Sequence, residues 1–117
     1  MSRGAVGVVN LDDVEPIELP HGSWSKVLVH GGGSSLGYSV FTPGTELTPV
    51  RHETEEVAYV VAGSGELRLD AETIAFREGD ALHIPANTWH AVANTGDSDV
   101  VMVFGFPHPE YPPTERR

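Results

Sequence analysis

Two histidines and one glutamate carry most of the chemistry this sequence can support. His52 and Glu56 stand four residues apart in VRHETEEVAYVV, residues 50–61. A short acidic turn there separates the end of one strand-like run from the start of the next. A tight connection of that kind can bring both side chains to one interior surface. HETEE is not the HExxH of a zinc protease, because the second histidine is missing and no helical pattern surrounds it. Taken alone, the stretch reads first as a solvated acidic turn. His90 shifts the balance. It falls in GDALHIPANTWHAVAN, residues 79–94, where a strand runs into a proline turn and returns on a strand that begins at His90. Two imidazoles and one carboxylate converging inside a small β-structure form a divalent-metal site. Such a trio occupies one face of an octahedral ion and leaves positions open for substrate, water or oxygen.

The elements that must hold these residues are short strands. Gly (13) and Pro (9) punctuate the chain at short intervals. Between them lie alternating or β-branched runs at 26–30, 36–42, 57–61, 66–70, 73–77, 81–84, 90–94 and 100–106. ELRLD, residues 66–70, alternates with period two, as a half-buried strand does. GGGSS, PGT, GSG, EGD, PAN and NTGDSD separate the runs as turns. Many short strands so spaced predict an all-β sandwich or barrel. No window carries a clean helical apolar stripe. The chain of 117 residues predicts one domain. Its core spans about 24–106, with an N-terminal arm or edge strand at 1–23 and a Pro-rich tail at 107–117 lying extended against the surface.

With those residues in place, the chain resembles the cupins. Their first motif is G-x5-H-x-H-x(3,4)-E-x6-G. Gly44, His52, Glu56 and Gly63 fall in register with it, and Val50 stands where the first histidine belongs. The second motif is G-x5-P-x-G-x2-H-x3-N. Gly79, Pro85, His90 and Asn94 match it, and Asn87 replaces the middle glycine. Asn tolerates positive φ better than most residues, so that exchange is mild. The resemblance covers roughly residues 36 to 106 and implies a jelly-roll barrel or sandwich. It also implies that His52, Glu56 and His90 bind a divalent transition metal such as Fe, Mn, Ni or Zn. Val50 cannot ligate, and on a strand it shares a face with His52. Two consequences compete: an open two-histidine, one-carboxylate site with room for a bidentate substrate, or a site that has lost its metal and holds an organic ligand alone.

His83, just before Pro85, is the candidate for a fourth ligand. Leu82 and Ile84 form one apolar face, which places His83 on the other with Ala81, and the sequence leaves open which face is interior. His83 and Tyr59 are also the candidate proton donors if they face inward. Glu46 shares strand parity with His52, but six residues of strand, about 20 Å, separate them. Glu53 and Glu55 read as turn residues, one of which could orient a ligand imidazole. Arg51 should point away from His52 and pair with the acidic turn, and Arg68 should face outward. Trp89 belongs at a pocket rim or an interface. Phe104, Phe106 and Tyr111 belong to the core or to a dimer contact. His21, His30 and His108 read as surface residues.

Carboxylates outnumber Lys plus Arg by 17 to 7, for a net charge of −10. That balance speaks against a nucleic-acid footprint or a polybasic membrane patch. The absence of cysteine removes disulfides and thiolate chemistry. No apolar run approaches a membrane span, and MSRGAVGVVNLDD lacks a signal-peptide core, so a cytoplasmic location is expected. The function expected is metal-dependent chemistry on a small metabolite, dioxygenase-type first, with isomerase, cyclase or lyase chemistry next. A non-catalytic small-molecule-binding module is the reading from another class. The family often dimerises, and a homodimer is expected.

Overall fold

All eight strand-like runs form strands in a computed structural model of the chain, which describes residues 6–117. They are Trp24–His30 (β2), Ser35–Phe41 (β3), Glu56–Ala62 (β5), Ser64–Leu69 (β6), Thr73–Arg77 (β7), Ala81–Ile84 (β8), His90–Ala93 (β9) and Val100–Phe106 (β10). Three shorter strands join them: Ile17–Glu18 (β1), Val50–His52 (β4) and Thr114–Arg116 (β11). The six-stranded sheet runs β1-β2-β3-β10-β5-β8, and the five-stranded sheet runs β11-β4-β9-β6-β7. Every pairing is antiparallel. The two sheets stack as a jelly-roll sandwich, not a closed barrel. The tail does not merely lie on the surface: its last residues add β11 to β4 as an edge strand. No helix among the described residues is long and apolar enough to cross a membrane.

Period-two alternation decides what faces the interior. On β3, Ser35, Gly37, Ser39 and Phe41 point in, and on β10 Val100, Met102, Phe104 and Phe106 do. Val60 and Val100 are fully buried and pack with Phe41, Leu67, Phe76, Ile84 and Met102. Each such side chain contributes about 1.5–3 kcal/mol on leaving water. Asn87 takes φ 61°, the left-handed conformation that its motif position asks for. Asn94 is a framework residue. Its amide donates to the carbonyls of Phe41 (2.8 Å) and Ser98 (2.9 Å) and ties the β9–β10 turn to the end of β3.

Gly37 is required by an aromatic ring. It stands directly opposite Phe104, and a Cβ added at Gly37 would lie 2.0 Å from Phe104 Cζ. The ring covers the glycine and also lines the cavity described below. Gly37→Ala should therefore cost about 1–3 kcal/mol as an overpacking strain, measured by urea unfolding. Gly32→Ala, where an added Cβ meets nothing within 4 Å, is the matched control and should be neutral.

Candidate metal centre

The acidic turn does a structural job: residues 53–55 carry the chain from the end of β4 in one sheet to the start of β5 in the other. His52 therefore ends one sheet and Glu56 opens the facing one. β9 lies beside β4 with His90 opposite Val50, which places the second imidazole next to the first. The three side chains meet at one end of the sandwich. One donor atom from each lies within 4.8 Å of the others. His52 Nε2 is 3.3 Å and His90 Nε2 3.5 Å from Glu56 Oε1. Both histidines are buried, at 3% and 6% exposure.

Hydrogen bonds on the far side of each ring set which nitrogen faces inward. Thr114 Oγ1 donates its proton to the Pro112 carbonyl at 2.9 Å. It must then accept from His52 Nδ1, 2.8 Å away. His90 Nδ1 lies 2.8 Å from the Thr88 carbonyl, which can only accept. Both rings thus carry their proton on Nδ1 and turn an Nε2 lone pair toward the Glu56 carboxylate. Three acceptors facing one another are stable only with a cation among them, so the donor set fits a divalent ion.

The titration of the groups follows from the same geometry. Burial pushes the Glu56 carboxyl up, but the hydrogen bonds and charges of His52 and His90 outweigh it and hold Glu56 below its ordinary value. Burial pushes the His90 imidazole down. Glu56 and the Thr88 carbonyl outweigh that and raise it. Together the shifts keep Glu56 negative and favour a proton on His90.

The centre forms part of the wall of a cavity of about 210 Å³. Apolar side chains dominate the rest of the wall, among them Phe41, Leu47, Leu82, Ile84, Met102 and Phe104. Val50 lines it too, as its strand parity predicts. Phe106 and Tyr111 meet His52 edge-on at centroid distances of 5.1 and 5.4 Å, so the aromatic residues of β10 and the tail pack around the histidine. Burial first, and the Glu56 carboxylate second, push the Tyr111 hydroxyl up to about 12. The residue is 41% exposed as a whole.

Other candidate residues fall outside the centre. His83 is on the outer face, because Leu82 and Ile84 are the pair that faces the cavity. It pairs with Glu55 at 2.8 Å in solvent, so neither residue reaches the centre. Tyr59 points outward as well, 50% exposed. Arg51 turns away from His52, but its partner is Glu115 of β11 at 2.9 Å, not the acidic turn. The guanidinium groups of Arg51 and Arg117 lie over the Trp89 ring, 4.9 and 4.3 Å from its centre. Glu46 pairs with Arg68 on the surface. Three residues at this site were not read from the sequence: Tyr111, Thr114 and Arg116. Period-two spacing of Thr114 and Arg116 is the only local signal, and it spans three residues.

Comparison with known proteins agrees with this architecture. Residues 37–106 match the family described as Cupin domain. The chain is 34% identical over 70 residues to the 5-nitrosalicylic acid 1,2-dioxygenase of a Bradyrhizobium species, covering 60% of this chain and 34% of that protein. It is 34% identical over 102 residues to the polyketide synthase CurC of Streptomyces cyaneus, covering 83% of this chain and 66% of that one. The chain thus spans about a third of the dioxygenase and just under two thirds of CurC. The solved structure of the polyketide cyclase RemF from Streptomyces resistomycificus superposes with a TM-score of 0.81 at 21% identity, over 96% of this chain and 85% of that one. The match to the family over most of β3 to β10, with the same fold around it, makes this chain a member of the cupins.

Proposed function

We propose that the protein is a metal-dependent enzyme acting on a small organic molecule that bears an enol or phenol oxygen, with dioxygenation as its reaction. One observation carries the reading: two imidazole lone pairs and one carboxylate converge on the wall of an apolar cavity, with Val50 in the place of a fourth ligand. Two histidines, one carboxylate and open positions are the donor set of non-haem iron oxygenases. His52, Glu56 and His90 would hold the ion. When bound, it supplies Lewis acidity and, as iron, one-electron chemistry toward dioxygen. The remaining work belongs to the chain. Thr114 and the Thr88 carbonyl keep both imidazoles in the ligating tautomer. The apolar wall keeps bulk water from the reacting atoms. Tyr111 stays protonated at neutral pH and can donate a hydrogen bond to an anionic substrate oxygen near Glu56. The likeness to the nitrosalicylate dioxygenase supports this reading.

A second reading, metal-assisted ring closure of a polycarbonyl substrate, is favoured by the longer match to CurC, 83% of the chain against 60%. One experiment separates them. Protein purified without a chelating tag is analysed for metals and reconstituted anaerobically with Fe(II). It is then offered hydroxybenzoates and 1,3-diketones under isotopically labelled dioxygen. Near-stoichiometric metal and two labelled oxygen atoms in the product are expected. A product isomeric with substrate, or short of one water, supports ring closure. Protein that neither carries nor accepts a transition metal overturns both.

A further inference from the structure

Arg116 has no carboxylate partner among the described residues. In a chain where carboxylates outnumber Lys and Arg by 17 to 7, an arginine should find a partner easily. Arg51, Arg68 and Arg117 do so, with Glu115, Glu46 and Asp70. Among the described residues, Arg116 and Arg77 have no carboxylate within ion-pair distance, and Arg77 is exposed on the edge strand β7. Arg116 is placed differently. Strand alternation on β11 sends Glu115 outward to Arg51 and turns Thr114 toward His52. Arg116 shares the face of Thr114 and lines the cavity. It stands directly opposite Val50. The residue is exposed, so its guanidinium sits at the mouth and not in the depth.

We infer that Arg116 binds a carboxylate of the substrate, and that the space left by Val50 admits this group beside the metal centre. This inference rests on the proposed function for its substrate and deepens it from an enol or phenol to an acid of that kind. Arg116 is the only cationic side chain on a wall that is otherwise apolar, apart from the centre itself and a few hydroxyls. A neutral substrate would gain nothing from it. A guanidinium presents a fork that matches two carboxylate oxygens through two charge-assisted hydrogen bonds. Val50 is shorter than the histidine its motif position would carry, so the wall next to Arg116 is recessed.

The test compares salicylate with salicylamide, which share size and hydroxyl but differ in charge. Full-length protein loaded with redox-inert Zn(II) is titrated calorimetrically with each. Wild type should bind salicylate at least about tenfold more tightly than salicylamide, as a hydrogen-bonded charge pair implies. Arg116→Gln should lose that preference with salicylamide binding and zinc content unchanged, and Arg116→Lys should keep part of it. Equal salicylate affinity in wild type and Arg116→Gln overturns the inference, as does a wild type without carboxylate preference or without binding. Should the wild type take no zinc, the metal reading fails by itself. The same titration on metal-free protein still judges Arg116.

Discussion

Glu56→Gln should lower divalent-metal affinity by more than about a hundredfold and leave the fold intact. Losing an outer hydrogen-bond partner of a ligand costs roughly 10–100-fold, and Glu56 is one of the three converging donors themselves. The glutamine keeps the shape of the side chain, so no cavity opens. Its amide can donate to an imidazole Nε2, which satisfies the metal-free cluster as a proton does in the wild type. What disappears is the single negative charge facing two rings, at 3.3 and 3.5 Å. The readout is thermal unfolding with and without metal. A site at a hundredfold excess over Kd gains about 2.7 kcal/mol, which raises the midpoint of a chain this size by about 10 °C. Wild type should show that rise and Glu56→Gln should not. His83→Ala is the control, since His83 pairs with Glu55 on the outer face, and it should retain the full effect. A Glu56→Gln protein that keeps the metal-dependent rise would mean that the ion, if any, sits elsewhere.

The strands that were legible in the sequence are those long enough to show a period. β2, β3 and β5 to β10 each run four to seven residues, and alternation or β-branching marks them. β1, β4 and β11 have two or three residues, too few for any pattern. His52 and Glu56 were legible because a three-residue turn sets their spacing locally, and His90 because its motif spacing marks it; the turn after β8 crosses to the other sheet, where β9 pairs with β4 and brings His90 beside them. The face of β8 was not, since ALHI offers apolar residues on one side and Ala81 with His83 on the other. Only the tertiary position of β8 beside β5 sends Leu82 and Ile84 inward. The tail was least legible. Its four prolines read as an extended surface segment, yet it returns to β4, whose partner in sequence lies some sixty residues earlier. Nothing local to YPPTERR announces a contact with His52.

That contact makes Thr114→Val the sharper test of how the centre is built. Thr114 lies 62 residues from His52 in sequence and touches it at 2.8 Å. Valine has nearly the volume of threonine, so packing against the ring is kept and the hydroxyl alone is lost. The His52 Nδ1–H is then left buried without an acceptor, at a cost of about 1–3 kcal/mol. The ring can escape that cost by moving its proton to Nε2, the nitrogen that faces Glu56. The first outcome makes the ligating tautomer costly and the second puts a proton on the ligating nitrogen, so metal affinity should fall about 10–100-fold. Thr114→Ser restores the acceptor and should recover most of it. The serine variant separates a tautomer effect from a loose strand, because it loses the methyl packing that valine keeps. If β11 acted only by covering the site, valine would bind metal as well as threonine and serine would bind worse. The tautomer argument requires the reverse order, and metal titration of the three proteins reads that order directly.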